Sequence, residues 1–182
     1  MLPAMSSPIS RSPVTNRMPP SAHPSPSEAP GPIIRVRRSR IHGYGVFAVQ
    51  PIPRGKRIIE YAGERVSHGE ADRRYEGRPA SDAHTFLFIV NKDVVVDAGV
   101  DGNEARYINH CCRPNCETEV IRGRIWIRSL RRILPGEELS YDYCIGRDPD
   151  DAQDVDEIYR CRCGTPRCRG SMLAGRRPRQ RR

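Results

Sequence analysis

The sequence predicts a mainly β protein built from small sheets, with few short helices. Two observations predict this class. The apolar runs are only four to seven residues long and are bounded by Gly, Pro or Asn-Lys, which is typical of short strands. Only two segments carry the signals of a helix. The 182 residues are enough for one domain with a buried core and tails.

The strands follow one another at short intervals. Ordered structure is predicted to begin near Ile33, where apolar and basic residues start to alternate. Residues 121–130 predict a hairpin that turns at Gly123. The other predicted strands are residues 46–49, 57–63, 85–90, 93–99 and 137–143.

Two helices are expected between these strands. Residues 67–75 form the longer one, because Ser67 can cap its first turn and Glu70, three residues later, completes a capping box. A shorter helix is expected over residues 103–108. Residues 1–32 contain nine of the seventeen prolines, mixed with Ser and Ala, and are expected to be disordered because they have little to bury.

Charge is unevenly distributed along a chain whose net charge is +9. Residues 160–182 hold nine arginines and no acid, so this tail suits either nucleic acid or solubility alone. Six acids precede it and serve either as a solvated linker or as a wall that attracts a basic substrate. They are Asp148, Asp150, Asp151, Asp154, Asp156 and Glu157.

The sequence shows no membrane or secretion signal. No stretch approaches the ~18 apolar residues of a membrane span, and residues 1–32 lack the apolar run of a signal peptide. We therefore expect no membrane partner and no secretion through a signal peptide.

Seven cysteines, an odd number without a secretion signal, point to thiolate metal ligands in a reducing compartment rather than to disulfides. Cys161, Cys163 and Cys168 supply three corners of a tetrahedral zinc site. Either Cys112 or Cys116 can close it.

Three further motifs have both a functional and a plain structural interpretation. The sequence His-Gly-Tyr-Gly at 42–45 lets the backbone approach a ligand closely, or simply makes a tight turn. The pair Asn109-His110, before a proline at 114, suits a buried turn that binds something polar, or a capped turn. Tyr141 and Tyr143 share one strand face, where two phenols can line a slot for an amine or merely pack.

Taken together, these motifs resemble one family, the SET-domain protein-lysine methyltransferases. The segments HGYGVFA, YAGE, RYINHCCRPNC and GEELSYDY occur in the order and rough spacing of the SET domain, and CRCGTPRCRG resembles its post-SET zinc module. The resemblance covers about residues 33–172 and implies a fold of small sheets with a knot-like C-terminal threading. The implied parts are a disordered segment at 1–32, a SET domain at 33–145, an acidic linker at 146–159, the zinc module at 160–172 and a basic disordered tail at 173–182.

The resemblance also implies roles for single residues. S-adenosylmethionine, the methyl donor, would be bound by His42, Gly43, Tyr44, Gly45, Asn109 and His110. Tyr143 would be the active-site tyrosine, assisted by Tyr61 and Tyr141. Tyr61 and Phe86 would line the lysine channel, and Tyr141 would limit the product to mono- or dimethyl-lysine. One structural zinc would be held by Cys112, Cys161, Cys163 and Cys168, and Cys116 would not be a ligand.

The expected partner is a protein lysine, in a histone or another basic protein. Such an enzyme is expected in the cytoplasm if the source is a bacterium, and in the nucleus or on a chromosome if the source is a eukaryote or the protein is exported into a host. Three other functions compete. One is a zinc-stabilised module that binds nucleic acid or chromatin without catalysis, and another is a cysteine hydrolase that pairs His110 or His42 with a thiol. The third is a degenerate SET fold that binds its ligands but does not methylate.

Overall fold

The structure, a computed structural model, describes residues 31–77, 85–147 and 154–175. The mainly β prediction is confirmed. The strands are β1 Ile34–Arg38, β2 Tyr44–Ala48, β3 Arg57–Glu60, β4 Glu64–Val66, β5 Leu87–Ile89, β6 Val95–Asp97, β7 Asn109–His110, β8 Cys116–Ile121, β9 Arg124–Ser129 and β10 Ser140–Tyr141. The helices are α1 His68–Tyr75, the 3-10 helix Glu104–Tyr107 and α2 Val155–Ile158.

The strands form four small sheets. β1 pairs with β2, β9 lies between β3 and β8, and β6 lies between β4 and β5, all antiparallel. β7 and β10 form a parallel pair, which brings together segments about thirty residues apart. The predicted hairpin is present as β8 and β9. It turns at Arg122 and Gly123, whose φ angles of 49° and 75° fit a tight hairpin turn.

The predicted strand at 137–143 is shorter than expected. Only β10 belongs to the parallel pair, because the residues before it pair with β2: Glu138 bridges to Phe47, and the Leu139 amide donates to the Val46 carbonyl at 2.7 Å. Beyond β10 the chain leaves the sheet, and the Tyr143 amide donates to a histidine ring instead of a strand. This irregular course places Tyr143 beside β7.

An apolar core fills the space between the sheets. The β-branched side chains of Ile125 and Ile127 point inward from β9, and Ile52, Ile133 and Leu139 from the surrounding segments are fully buried with them. Tyr61 and Tyr141 belong to the same cluster. The site described below is therefore built on the rigid part of the molecule.

Both predicted helices are present in modified form. Ser67 caps α1 by accepting from the Glu70 amide at 3.2 Å, but the Glu70 carboxylate pairs with Arg73 and Arg74. The segment predicted as a second helix forms only the 3-10 turn, capped by the Asn103 side chain. None of the helices in the described ranges is long and apolar enough to cross a membrane.

The C-terminal part of the chain packs further than the sequence indicated. Leu173, placed in the basic tail by the sequence, is 2% exposed and bridges to Ile145. The Ala174 amide donates to the Ile145 carbonyl at 2.7 Å. The packed chain therefore reaches 174 rather than 172, because an apolar side chain there enters the core. The predictions for residues 1–30 and 176–182 lie outside the described ranges.

Candidate functional site

The parallel pair β7–β10 joins the two motifs that carry most of the predicted chemistry. Its register places Asn109 opposite Ser140 and His110 opposite Tyr141. Asn109 and His110 are both buried, with 9% and 2% of their surface exposed. The Asn-His segment and the Tyr-Asp-Tyr segment, distant in sequence, therefore form one site.

Three tyrosines form an aromatic cluster on one side of this pair. The rings of Tyr141 and Tyr143 have their centroids 4.9 Å apart. The Tyr143 hydroxyl donates to the Ile108 carbonyl at 2.9 Å, and the Tyr61 hydroxyl donates to the Phe86 carbonyl at 3.0 Å. Both hydroxyl oxygens keep lone pairs that can accept a hydrogen bond from a ligand.

Burial sets the protonation state of these phenols. It raises the pKa of Tyr61, Tyr141 and Tyr143 above the ordinary value of about 10, and the neighbouring phenols raise the pKa of Tyr61 and Tyr141 further. The cluster is therefore neutral at physiological pH and offers fixed dipoles rather than a base.

Two aromatic residues of this cluster did not stand out in the sequence. The Phe88 ring lies 5.5 Å from Tyr61 and 6.5 Å from Tyr141, between centroids, and so bridges them. Tyr107 lies 6.2 Å from the Phe86 ring. The spacing of Phe86 and Phe88 by two residues in a strand-like run is the signal that could have identified Phe88.

The 42–45 loop packs against Asn109. The Asn109 amide nitrogen lies 2.8 Å from the Tyr44 carbonyl and 3.3 Å from the His42 carbonyl, and donates to them. Gly43 has a φ angle of 42° and open space where a side chain would lie. The hydrogen bonds from Asn109 fix this backbone, and no atom lies where a side chain at Gly43 would be, so the backbone is suited to hold a polar ligand.

His110 connects the tyrosine cluster to a neighbouring cysteine. Its Nδ1 accepts from the Tyr143 amide at 3.1 Å, so the proton of the neutral ring is on Nε2, 3.4 Å from the Cys112 sulfur. Burial lowers the pKa of His110 to about 4, against the opposing charge of Asp142. Although Asp142 lies 3.5 Å from Nδ1, the two form no ion pair because Nδ1 carries no proton.

Four cysteines meet on the other side of His110. The sulfurs all lie within 4.8 Å of one another, and belong to Cys112, Cys161, Cys163 and Cys168. A tetrahedral zinc with bonds of ~2.3 Å sets its sulfurs ~3.8 Å apart, so the group can hold one ion. Cys116 is fully buried at the start of β8, outside this group.

The positions of His110 and Cys112 also matter for the cysteine hydrolase hypothesis. His110 does lie next to a thiol, that of Cys112, but this sulfur is one of the four that face each other. A thiolate bound to metal is not free to act as a nucleophile. The structure therefore favours a structural role for this Cys-His pair.

An ion pair connects the C-terminal segment that carries Cys161, Cys163 and Cys168, here called the cysteine module, to the segment 141–143. The Arg169 guanidinium binds both oxygens of Asp142, at 2.5 and 2.9 Å. The Arg169 amide also donates to the Cys112 sulfur at 3.3 Å. Asp142 thus ties β10 to the module on the side away from the core.

The described half of the acidic segment is largely engaged within the chain. Asp156 pairs with Arg147, and Glu157 lies 3.5 Å from Arg160. These residues line an open cleft of about 720 Å³ that also contacts Arg169 and Leu173 but none of the three tyrosines. Residues 148–153 lie outside the described ranges.

Comparison with known proteins matches residues 43–144 to the SET domain. Histone-lysine N-methyltransferase trithorax of Drosophila melanogaster is 41% identical over 140 residues, which are 75% of this chain and 4% of that protein. The H3 lysine-4 specific histone-lysine N-methyltransferase of Saccharomyces cerevisiae is 42% identical over 141 residues, 74% of this chain and 13% of that protein. The chain therefore spans a small part of these relatives.

Two solved structures are also similar to this chain. The structure of ctPRC2 in an autoinhibited conformation bound to S-adenosylmethionine is 34% identical, with a TM-score of 0.57 over 60% of this chain and 15% of its own. The Chaetomium thermophilum polycomb repressive complex 2 is 33% identical, with a TM-score of 0.57 over 64% of this chain and 15% of its own.

Proposed function

We propose that this chain, which belongs to the SET-domain family, is a protein-lysine N-methyltransferase that uses S-adenosylmethionine and acts on histones or other basic protein tails. The observation that carries the proposal is the buried, neutral tyrosine cluster beside the fixed 42–45 loop. The names of the relatives, and the S-adenosylmethionine in the structural neighbour, support the reaction class.

The reaction requires a neutral amine in a dry channel. Free lysine has a pKa of about 10.4 and is mostly protonated at neutral pH. A channel lined by Tyr61, Phe86 and Tyr141 would lower this pKa, because burial disfavours the charged ammonium. The lone pairs of the tyrosine hydroxyl oxygens then accept hydrogen bonds from the N–H groups of the amine. These hydrogen bonds orient the lone pair of the amine nitrogen.

Tyr143 is proposed as the residue closest to the transfer. Its hydroxyl hydrogen is committed to the Ile108 carbonyl, so its oxygen can only accept from the substrate side. Bound S-adenosylmethionine supplies an electrophilic methyl group on sulfur. The lysine nitrogen would take this methyl group and release S-adenosylhomocysteine, and the residues that align the nitrogen with the methyl carbon and the sulfur would provide most of the rate gain.

Donor binding is proposed for the 42–45 loop together with Asn109 and His110. The Asn109 side chain is occupied by the loop carbonyls and the His110 ring by its two neighbours. We therefore expect the backbone of these residues, more than their side chains, to contact the donor. The Tyr44 ring, which packs against Tyr107 and Arg38 but keeps about half of its surface exposed, would form one side of the donor site.

The four-cysteine group is proposed to hold one zinc ion with a structural role. Four thiolates fill a tetrahedral coordination sphere and leave no open position for catalysis. The Nε2 proton of His110 would hydrogen-bond the Cys112 thiolate and so orient a ligand from outside the coordination sphere.

The proposed substrate implies a place in the cell. Histone methylation requires access to chromatin, so we propose the nucleus or a chromosome as the site of action, in line with the named relatives. The arginine-rich tail is proposed as a contact with nucleic acid, since arginine pairs with phosphate. Its residues from 176 onward lie outside the described ranges.

Replacement of Tyr143 with Phe tests the proposal. With labelled S-adenosylmethionine and a panel of histones, the wild-type chain should transfer methyl groups to lysine. Tyr143→Phe should lower turnover by more than about tenfold, or ~1.4 kcal/mol of barrier, while thermal unfolding stays near that of wild type. Near-normal turnover in this variant would remove Tyr143 from the chemistry, and absence of transfer to any basic protein would overturn the proposed function.

Replacement of Tyr141 with Phe tests the number of methyl groups added. A hydroxyl in the channel holds a water or the amine itself, and its loss frees about one water's volume beside an apolar wall. We expect products to shift from mono- or dimethyl-lysine toward trimethyl-lysine, with the first transfer retained. Mass spectrometry of an exhaustive reaction measures this. A wild-type chain that already trimethylates would show that Tyr141 sets no limit.

A further inference from the structure

Glu138 lies in the GEELSYDY segment that carries the family resemblance, but neither the resemblance nor the proposed chemistry gives its side chain a role. It bridges to Phe47 just before β10, and its half-buried carboxylate lies beneath the 42–45 loop. We infer that Glu138 is a positioning residue, which acts through Ser39 and Asn109 to hold this loop in the shape that binds the methyl donor. The inference rests on the proposed function and assigns a further residue to the same site.

The carboxylate contacts the chain on both sides of the loop. The Ser39 hydroxyl, just before the loop, lies 2.7 and 3.0 Å from the two Glu138 oxygens and donates to them. The Ser39 oxygen in turn accepts from the amides of Ile41 and His42, at 2.9 and 3.4 Å. The entry of the loop is therefore fixed by a hydroxyl that Glu138 orients.

On the other side, Glu138 orients Asn109. The Asn109 amide nitrogen donates to Oε1 of Glu138 at 2.9 Å and to the Tyr44 carbonyl at 2.8 Å. An amide nitrogen has two hydrogens, and these two contacts are its shortest. The carboxylate thus determines which way the Asn109 side chain faces, and with it the position of the Tyr44 carbonyl.

Gly45 shows how closely the carboxylate fits. A Cβ atom at this position would lie 2.2 Å from Oε1 of Glu138 and 2.8 Å from its Cδ, far inside contact distance. The carboxylate therefore occupies the space that a side chain at 45 would need. A side chain at 45 would therefore force this carboxylate out of its position, which gives the second glycine of the Gly-Tyr-Gly motif a reason besides the approach of a ligand.

The adjacent Glu137 provides a matched comparison. It makes an ion pair with Arg131 and accepts from the Leu134 amide, on the surface and away from the loop. Within the described ranges Glu138 makes no such ion pair, and its contacts are the uncharged donors of Ser39 and Asn109. Substitution of Glu138 should therefore disturb the 42–45 loop, whereas substitution of Glu137 should not.

The test is calorimetric binding of S-adenosylhomocysteine, with methyl-transfer kinetics at saturating S-adenosylmethionine. Glu138→Gln keeps the shape but weakens two charge-assisted hydrogen bonds, so Kd and the donor KM should rise about tenfold. The value of kcat at saturation should change less than about threefold, since the hydroxyls of Tyr61 and Tyr143 bond to backbone carbonyls and not to Glu138. Glu137→Gln should match wild type in all three quantities.

A second variant keeps the test valid if Glu138→Gln does not fold. Ser39→Ala removes the other end of the strongest contact and should raise the donor Kd in the same direction. Wild-type Kd in either folded variant, or an equal rise in Glu137→Gln, would overturn the role of Glu138 while leaving the proposed function intact. A wild-type chain that binds no donor would overturn both.

Discussion

The β core and the C-terminal cysteine module are stabilised in different ways. Between β1 and β10, at least a dozen apolar side chains are buried, and fully buried isoleucines occupy the centre. Among the described residues of the module, 154–175, only Ser171 and Leu173 are buried. The core can therefore hold its shape by apolar burial, whereas the module depends on its four sulfurs and a few polar contacts.

The two regions nevertheless share one site. In sequence, Cys112 lies within the β core, between β7 and β8. In space it belongs to the cysteine module, since its sulfur lies 3.6 Å from that of Cys161. His110 and Asp142 extend this connection to Tyr143 and β10. The part of the site that performs the proposed chemistry thus packs against the apolar core on one side and against the four-cysteine group on the other.

The largest expected effect comes from removing one sulfur. Cys168→Ser should lose the zinc and almost all activity, because three thiolates hold the ion poorly and the module has little else to fold on. The core should keep its β-type circular dichroism. Metal analysis and methyl transfer measure the two losses.

Two cysteine variants serve as controls for this prediction. Cys144 is exposed and outside the sulfur group, so Cys144→Ser should keep both zinc and activity. Cys116→Ser should also keep its zinc. Loss of metal in Cys116→Ser would move the fourth ligand, and a zinc-free, fully active preparation would contradict a structural metal altogether.

A substitution that leaves a cavity in the core should have the opposite effect: it should lower the free energy of unfolding but leave the zinc bound. Ile127→Ala removes a fully buried side chain from β9 and should lower the free energy of unfolding by about 3 kcal/mol. The protein that remains folded should still bind one zinc. Denaturant unfolding measures the change, and Val120→Ala, at an exposed position of β8, should cost less than about 0.5 kcal/mol. Coupled loss of zinc in folded Ile127→Ala would contradict the separation of the two regions.

The smallest expected effect concerns the ion pair between the regions. Arg169→Gln breaks the two-point contact with Asp142, which is partly exposed, so activity should fall only roughly threefold and zinc should stay bound. Arg160→Gln disrupts a more exposed pair with Glu157 and should have no effect. Equal effects of the two variants would show that Asp142 does not connect the module to the tyrosine segment.

Short-range signals predicted much of the fold. The hairpin at Gly123 and the cap at Ser67 are local, because a turn or a cap is determined by the residues next to it. The strand at 137–143 was only partly predictable. Its pairing with β2 and then β7 depends on segments that are remote in sequence.

The site shows the same division. Residue types and spacing predicted three members of the four-cysteine group, but could not by themselves choose between Cys112 and Cys116 as the fourth, because the two are only four residues apart. The structure separates them because Cys116 begins β8 and points into the core. The role of Glu138 was not predicted at all, since a second glutamate in a Glu-Glu pair carries no signal of the close contact with Gly45.

The sequence separation between the first and last members of the four-cysteine group sets the time between their synthesis on the ribosome. Cys112 and Cys168 are separated by 56 residues. At a synthesis rate of roughly 5 to 20 residues per second, Cys168 leaves the ribosome roughly 3 to 11 seconds after Cys112. During that interval β8, β9 and β10 are synthesised and complete the β core, while the other three cysteines of the group have not yet been made. A chain that ended between β10 and Cys161 would contain every strand of the core but would leave the Cys112 thiol without these partners.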